Sequence, residues 1–163
     1  MERFYEDYLA RLERVHAEIG QAIAGLQQPA LDWSPGPDMN SLAVLVVHLT
    51  GAERYWIGDV VGADPSGRDR DAEFRAHGLD AAALQARLDG TLAYSRKLLA
   101  TLRVADLAAD RVSPRDGTTG SVANALLHAL DHTALHAGHC QIMRQLVKER
   151  REIWHSFTVS DDL

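Results

Sequence analysis

Four histidines fall within twelve consecutive residues of this chain, and His128, His132, His136 and His139 are the side chains best able to do chemistry. At about 100° per residue they stand at roughly 0°, 40°, 80° and 20° around a helix, which is one narrow stripe. The stripe borders Val122, Leu126, Thr133, Cys140, Met143 and Val147, so all four rings are expected to face the protein interior or its edge rather than bulk water. A single imidazole in such a place is usually a core residue with one hydrogen bond. Four of them bring two ring nitrogens each, and protonated neighbours repel where water is scarce. A shared divalent cation removes both problems, and two histidines spaced i, i+4 on one helix can bite a single ion.

A catalytic ion wants a third protein ligand and an open position. His48 is the best candidate, because it interrupts the apolar run Val46, Val47, Leu49, where another aliphatic residue would be expected. His16, His77 and His155 have polar surroundings in the sequence and read as solvated surface. Glu53 lies roughly 140° around the helix from His48, too far for joint ligation. Tyr55, roughly −20° from His48 and two turns on, reads as a half-buried core aromatic able to line the same pocket. Asp131 reads as solvated helix surface, with the option of orienting a ligating histidine. Cys140 reads as a small buried residue, and Trp33 and Trp56 as core or pocket wall. The sequence contains no Gly-rich phosphate loop, serine nucleophile elbow or CxxC pair.

The elements that must position these residues are helices. Phe4, Tyr8, Leu12, Val15, Ile19, Ala22, Ile23 and Leu26 recur in steps of three and four, which predicts a first helix ending near Gln28-Pro29. A second is expected from a cap at Asn40 or Ser41 through His48 to about Val61. Its β-branched run resembles a buried strand, but the apolar pattern continues too long for one. Residues 62–78 read as a polar crossing loop. Asp80 caps a third helix carrying Leu84, Leu88, Leu92, Ser95, Leu99 and Leu102 on one stripe. Residues 110–120, with Pro114 and Asp116-Gly117, read as a loop. The fourth helix should start at the Ser121 cap and run to about Lys148, where Lys148, Arg150 and Arg151 suit its dipole. An irregular tail is expected over about 151–163, with Trp154 and Phe157 packing on the surface or on a second subunit. These segments make one all-α domain over residues 1–163, a four-helix bundle with long loop connections and no convincing strand.

Composition narrows the classes of function. With 163 residues, 46% hydrophobic and 25% charged, the chain has the proportions of a soluble globular domain. A net charge of −6 argues against nucleic-acid binding as the main role. No signal peptide or spanning apolar stretch is visible, so no membrane partner and a cytoplasmic location are expected. The single cysteine, Cys140, excludes an intramolecular disulfide and fits a reducing compartment.

The pairing of Trp33-Ser-Pro, Asn40-Ser41 and His48-Leu-Thr-Gly-Ala-Glu53 with the late Asp131-His132-Thr-Ala-Leu-His136-Ala-Gly138-His139 resembles the DinB/YfiT-like superfamily. The resemblance covers Met1 to about Lys148. It implies a four-helix bundle in which His48, His132 and His136 bind a divalent metal. Zinc best suits three imidazoles, and nickel, iron and copper accept the same ligands. The family motif often continues into x-Gly-Gln, whereas here His139 follows Gly138. The resemblance also implies a homodimer and brings in low-molecular-weight thiols as cosubstrates. The leading expectation is therefore a metal-dependent hydrolase or thiol transferase acting on a small molecule. The alternative is a non-catalytic metal- or small-molecule-binding bundle of a stress response, which the lack of an obvious general base favours.

Overall fold

The structure is a computed structural model that describes the backbone of residues 1–158 and the side chains of residues 1–150. Four long helices form it: α1 (Arg3–Ile23), α3 (Leu42–Arg54), α5 (Ala81–Leu99) and α6 (Val122–Thr158). Two short helices, α2 (Gln28–Leu31) and α4 (Arg70–Glu73), sit in the connections. Both α5 and α6 pack against α1 and against α3, so the pairs alternate around the bundle.

The caps follow the chemistry of their residues. Ser41 accepts from the Val44 amide at 3.2 Å, Asp80 from Ala83 at 2.7 Å, and Ser121 from Asn124 at 3.1 Å. The first helix stops sooner than expected. Gly25 takes a positive φ of 69° just past its end, and Pro29 then sits in the first turn of α2, where a missing N–H costs nothing. Beyond Arg54, residues Tyr55–Val61 continue as a π-helix. Arg54 folds across the bare backbone of Gly58 there to reach Asp59 at 3.0 Å and Asp64 at 2.9 Å.

Three further expectations are corrected. The 62–78 connection contains α4, capped by Asp69, whose carboxylate accepts from the Ala72 amide at 2.9 Å. Residues 110–120 are not wholly loop: β1 (Asp110–Val112) and β2 (Thr119–Ser121) pair antiparallel, Arg111 opposite Gly120. The Asp116-Gly117 turn, with Gly117 at φ 72°, makes that reversal. Finally, α6 runs on to Thr158, past the end expected near Lys148. Residues 159–163, and the side chains of Trp154, His155 and Phe157, lie outside the described residues.

The core divides into two apolar clusters, one around Ile19, Leu42, Leu49, Leu84 and Leu88, the other around Tyr5, Leu12, Ile57, Leu99 and Leu126. Near the boundary each long helix contributes a buried polar residue: His16, Glu53, Ser95 and Thr133. No helix among the described residues is long and apolar enough to cross a membrane.

Candidate metal centre

His48 on α3 meets His132 and His136 on α6. Ring centroids lie 5.1 Å apart for His48 with either partner and 4.5 Å apart for His132 with His136. Each residue offers one ligand atom, and the three atoms lie within 4.8 Å of one another. Nitrogens held at about 2.0–2.1 Å from a tetrahedral ion stand roughly 3.4 Å apart, so the ligand atoms need to close by at most about 1.4 Å.

The protonation chemistry suits a cation. Burial, and then the positive charge of His136, His48, His128 and Arg68, pushes His132 down to about 3. Burial, His48 and His139 push His136 down to about 4. Both rings are therefore neutral at pH 7, the form that ligates metal. His132 also has a buried Nδ1 with no hydrogen-bond partner. A cluster of neutral imidazoles holding an unsatisfied nitrogen fits a divalent ion better than it fits an apolar core.

The remaining two histidines of the stripe stand at its ends. All four rings were expected at the interior or its edge rather than in bulk water; His132 and His136 are half-buried, whereas His128 and His139 are exposed. Trp56 lies 4.3 Å from the His128 ring, and His139 Nδ1 lies 3.2 Å from His136 Nδ1. Phe74 covers the His48 ring at 4.7 Å. Tyr55 is buried core, its hydroxyl 2.8 Å from Ser113 Oγ and accepting from the Arg115 amide. Cys140 is fully buried, and burial pushes its thiol up to about 12, so it is no nucleophile. Asp131 is exposed, as expected.

Two glutamates change the picture drawn from sequence. Glu73, at the end of α4, lies 3.0 Å from His48 Nδ1 and takes two bonds from Arg68, at 2.6 and 2.8 Å. Burial alone would raise its carboxyl, but the bonds from Arg68 and His48 outweigh that and hold it below the ordinary range. The one sequence signal was Gly51, a glycine inside a helix: a Cβ there would strike the Glu73 carboxylate. Glu53 is buried on the other side of α3, 2.6 Å from His16 Nε2 and accepting from Ser95 Oγ at 2.8 Å. His16 is thus not a surface residue: it lies on the apolar stripe between Leu12 and Ile19 and is buried with them. His77 is exposed and contacts the Arg75 carbonyl.

With this geometry in hand, comparison with known proteins decides the family. A family model for mycothiol-S-transferase matches residues 7–149. The chain belongs to the mycothiol-S-transferase family. That places it in the DinB/YfiT-like superfamily. A conserved protein from Enterococcus faecalis has a similar structure, with a TM-score of 0.77 at 15% identity, over 91% of this chain and 99% of that one. YfiT from Bacillus subtilis, described as a probable metal-dependent hydrolase with an unusual four-helix bundle topology, gives a TM-score of 0.72 at 18% identity, over 91% and 90%. At such identities these likenesses speak for the four-helix-bundle fold alone. No curated protein matches the chain.

Proposed function

We propose that this member of the mycothiol-S-transferase family is a metal-dependent transferase that moves a low-molecular-weight thiol of the mycothiol kind onto a small electrophile. The observation that carries the reading is the convergence of three imidazoles, His48, His132 and His136, at one point on the edge of the bundle. Zinc is the ion that suits this donor set best. When bound, the ion supplies positive charge that acidifies a thiol or water beside it toward neutrality.

The surrounding residues favour a thiol over water as the nucleophile. Among the described residues the three-histidine group includes no carboxylate, and Glu73 behind His48 is engaged by Arg68, which favours a nucleophile that needs little help from a base. A thiol starts near pKa 8.5 and asks less help. His139 and His128, exposed at the two ends of the cluster, can carry its proton to solvent. A cavity of about 240 Å³, lined by His139 together with Met39, Leu45, Ile142 and Met143 and with Asp38 and Asn40, offers mostly apolar room for the electrophile. Leu127 and Leu135 are exposed apolar residues of α6, and we assign them to a homodimer contact, to be checked by sedimentation.

The test is metal content and turnover together. Protein purified without a histidine tag should carry zinc and conjugate mycothiol to a fluorogenic electrophile, and removing the metal should abolish conjugation. Metal uptake without conjugation by any low-molecular-weight thiol would leave a binding protein instead of a transferase.

A further inference from the structure

We infer that Glu73 is a positioning residue for the metal centre: its carboxylate accepts the Nδ1 proton of His48 and so presents that ring's Nε2 lone pair to the point shared with His132 and His136. The inference rests on the metal-binding reading of the three histidines, and it gives the connection between α3 and α5 a part in the site.

The proton can be placed by elimination. Glu73 is buried, and Arg68 grips both of its oxygens, at 2.6 and 2.8 Å. A carboxylate paired in this way is ionised and can only accept. His48 Nδ1 lies 3.0 Å from Glu73 Oε2, so the hydrogen between them belongs to His48. In a neutral ring the lone pair then sits on Nε2. A carboxylate behind a ligating imidazole also raises its basicity and fixes its plane.

Several features look built for this contact. Gly51 leaves a gap on α3, one turn from His48, into which the Glu73 carboxylate fits, although glycine weakens a helix at that position. The Asp69 cap starts the short turn that carries Glu73 inward, and the next residue, Phe74, packs on the His48 ring, tilted 38° with centroids 4.7 Å apart. His48 is therefore held by two consecutive residues of one segment. Among the described residues, neither other ring of the trio has a carboxylate partner: His132 Nδ1 is without a hydrogen bond, and His136 Nδ1 meets only His139. His48 is the anchored ligand against which the α6 pair closes.

The test compares wild type with Glu73→Gln and Gly51→Ala, the second of which keeps every donor and acceptor and displaces only the carboxylate. In metal-stripped protein, two-bond proton–nitrogen correlation spectra read the His48 tautomer directly. Wild type should show the proton on Nδ1, and each variant that folds should show a changed or mixed tautomer. Zinc affinity should fall by about 10- to 100-fold in both variants. Zinc bound tightly by wild type and equally by both variants, or a wild-type proton on Nε2, would overturn this inference and leave the metal reading standing. A wild type that takes up no zinc would remove the metal reading and this inference with it.

Discussion

His48 and His16 each sit against a buried glutamate, on opposite sides of α3, and only His48 joins the three-histidine cluster. His48 contacts Glu73 at 3.0 Å through Nδ1, and its ring also lies 5.1 Å from both His132 and His136. His16 contacts Glu53 at 2.6 Å through Nε2, and its Nδ1 is buried with no hydrogen-bond partner. The carboxylates differ as well. Glu73 is held by Arg68 and comes in on a connection, whereas Glu53 is held by Ser95 and stands on the same helix as His48. One pair faces outward toward further ligands, and the other closes a polar layer between two apolar clusters. A buried histidine–glutamate contact therefore does not by itself mark a functional site; what the ring's other nitrogen meets decides that.

The largest expected effect breaks the first pair's surroundings. His132→Ala should cut zinc affinity by more than the about 100-fold that losing an outer-shell partner costs, measured by competition with a chromophoric chelator. His16→Ala should leave that affinity within twofold of wild type, a margin on the order of 0.4 kcal/mol. A parallel fall in both would erase the distinction between the two regions.

Next comes stability. Glu53→Ala leaves His16 Nε2 and Ser95 Oγ without their buried partner and should cost about 1–3 kcal/mol in urea unfolding, with the metal site untouched in whatever fraction folds. The double replacement His16→Leu with Glu53→Met should recover most of that loss, or exceed wild type by about 1–4 kcal/mol, because a well-packed apolar pair needs no desolvation of charge. A double variant as unstable as Glu53→Ala would mean that the polar layer is needed for the fold itself.

Third is the pH dependence of the metal-free protein. His132 and His136 titrate near 3 and 4 in the fold, against an ordinary value of 6.5. Between those limits the unfolded chain binds more protons, so unfolding free energy rises with pH. The contribution is fully present above about 6.5 and is lost as pH falls toward 4 and then 3. Urea midpoints of the metal-free protein should decline over that window, and the decline should be shallower in His132→Ala. An equal slope in both would mean that burial of these rings does not set their titration.

Much of this protein is written in local periodicity. Steps of three and four place the long helices, the caps at Ser41, Asp80 and Ser121 start them, and a four-residue spacing puts His132 and His136 side by side. His48 stands out locally too, as a polar residue inside an aliphatic run. The same logic, applied to His16 on the stripe of Leu12 and Ile19, would have buried it; its charged sequence neighbours pointed the wrong way because they lie on other faces of the helix. The hairpin was hidden for a different reason: three-residue strands are too short to show alternation, leaving only their Asp116-Gly117 turn visible.

By itself, then, the sequence determined the helices, the histidine pair on α6 and the likeness to a family, because each depends on neighbours a few residues away. Tertiary structure alone decided that Glu73 reaches His48 across 25 residues, that Glu53 turns from it toward His16, and that His128 and His139 stay at the exposed ends of the cluster. Those outcomes depend on how α3, α5 and α6 pack and on the path the 62–78 connection takes over Gly51, and helical periodicity carries no information about either.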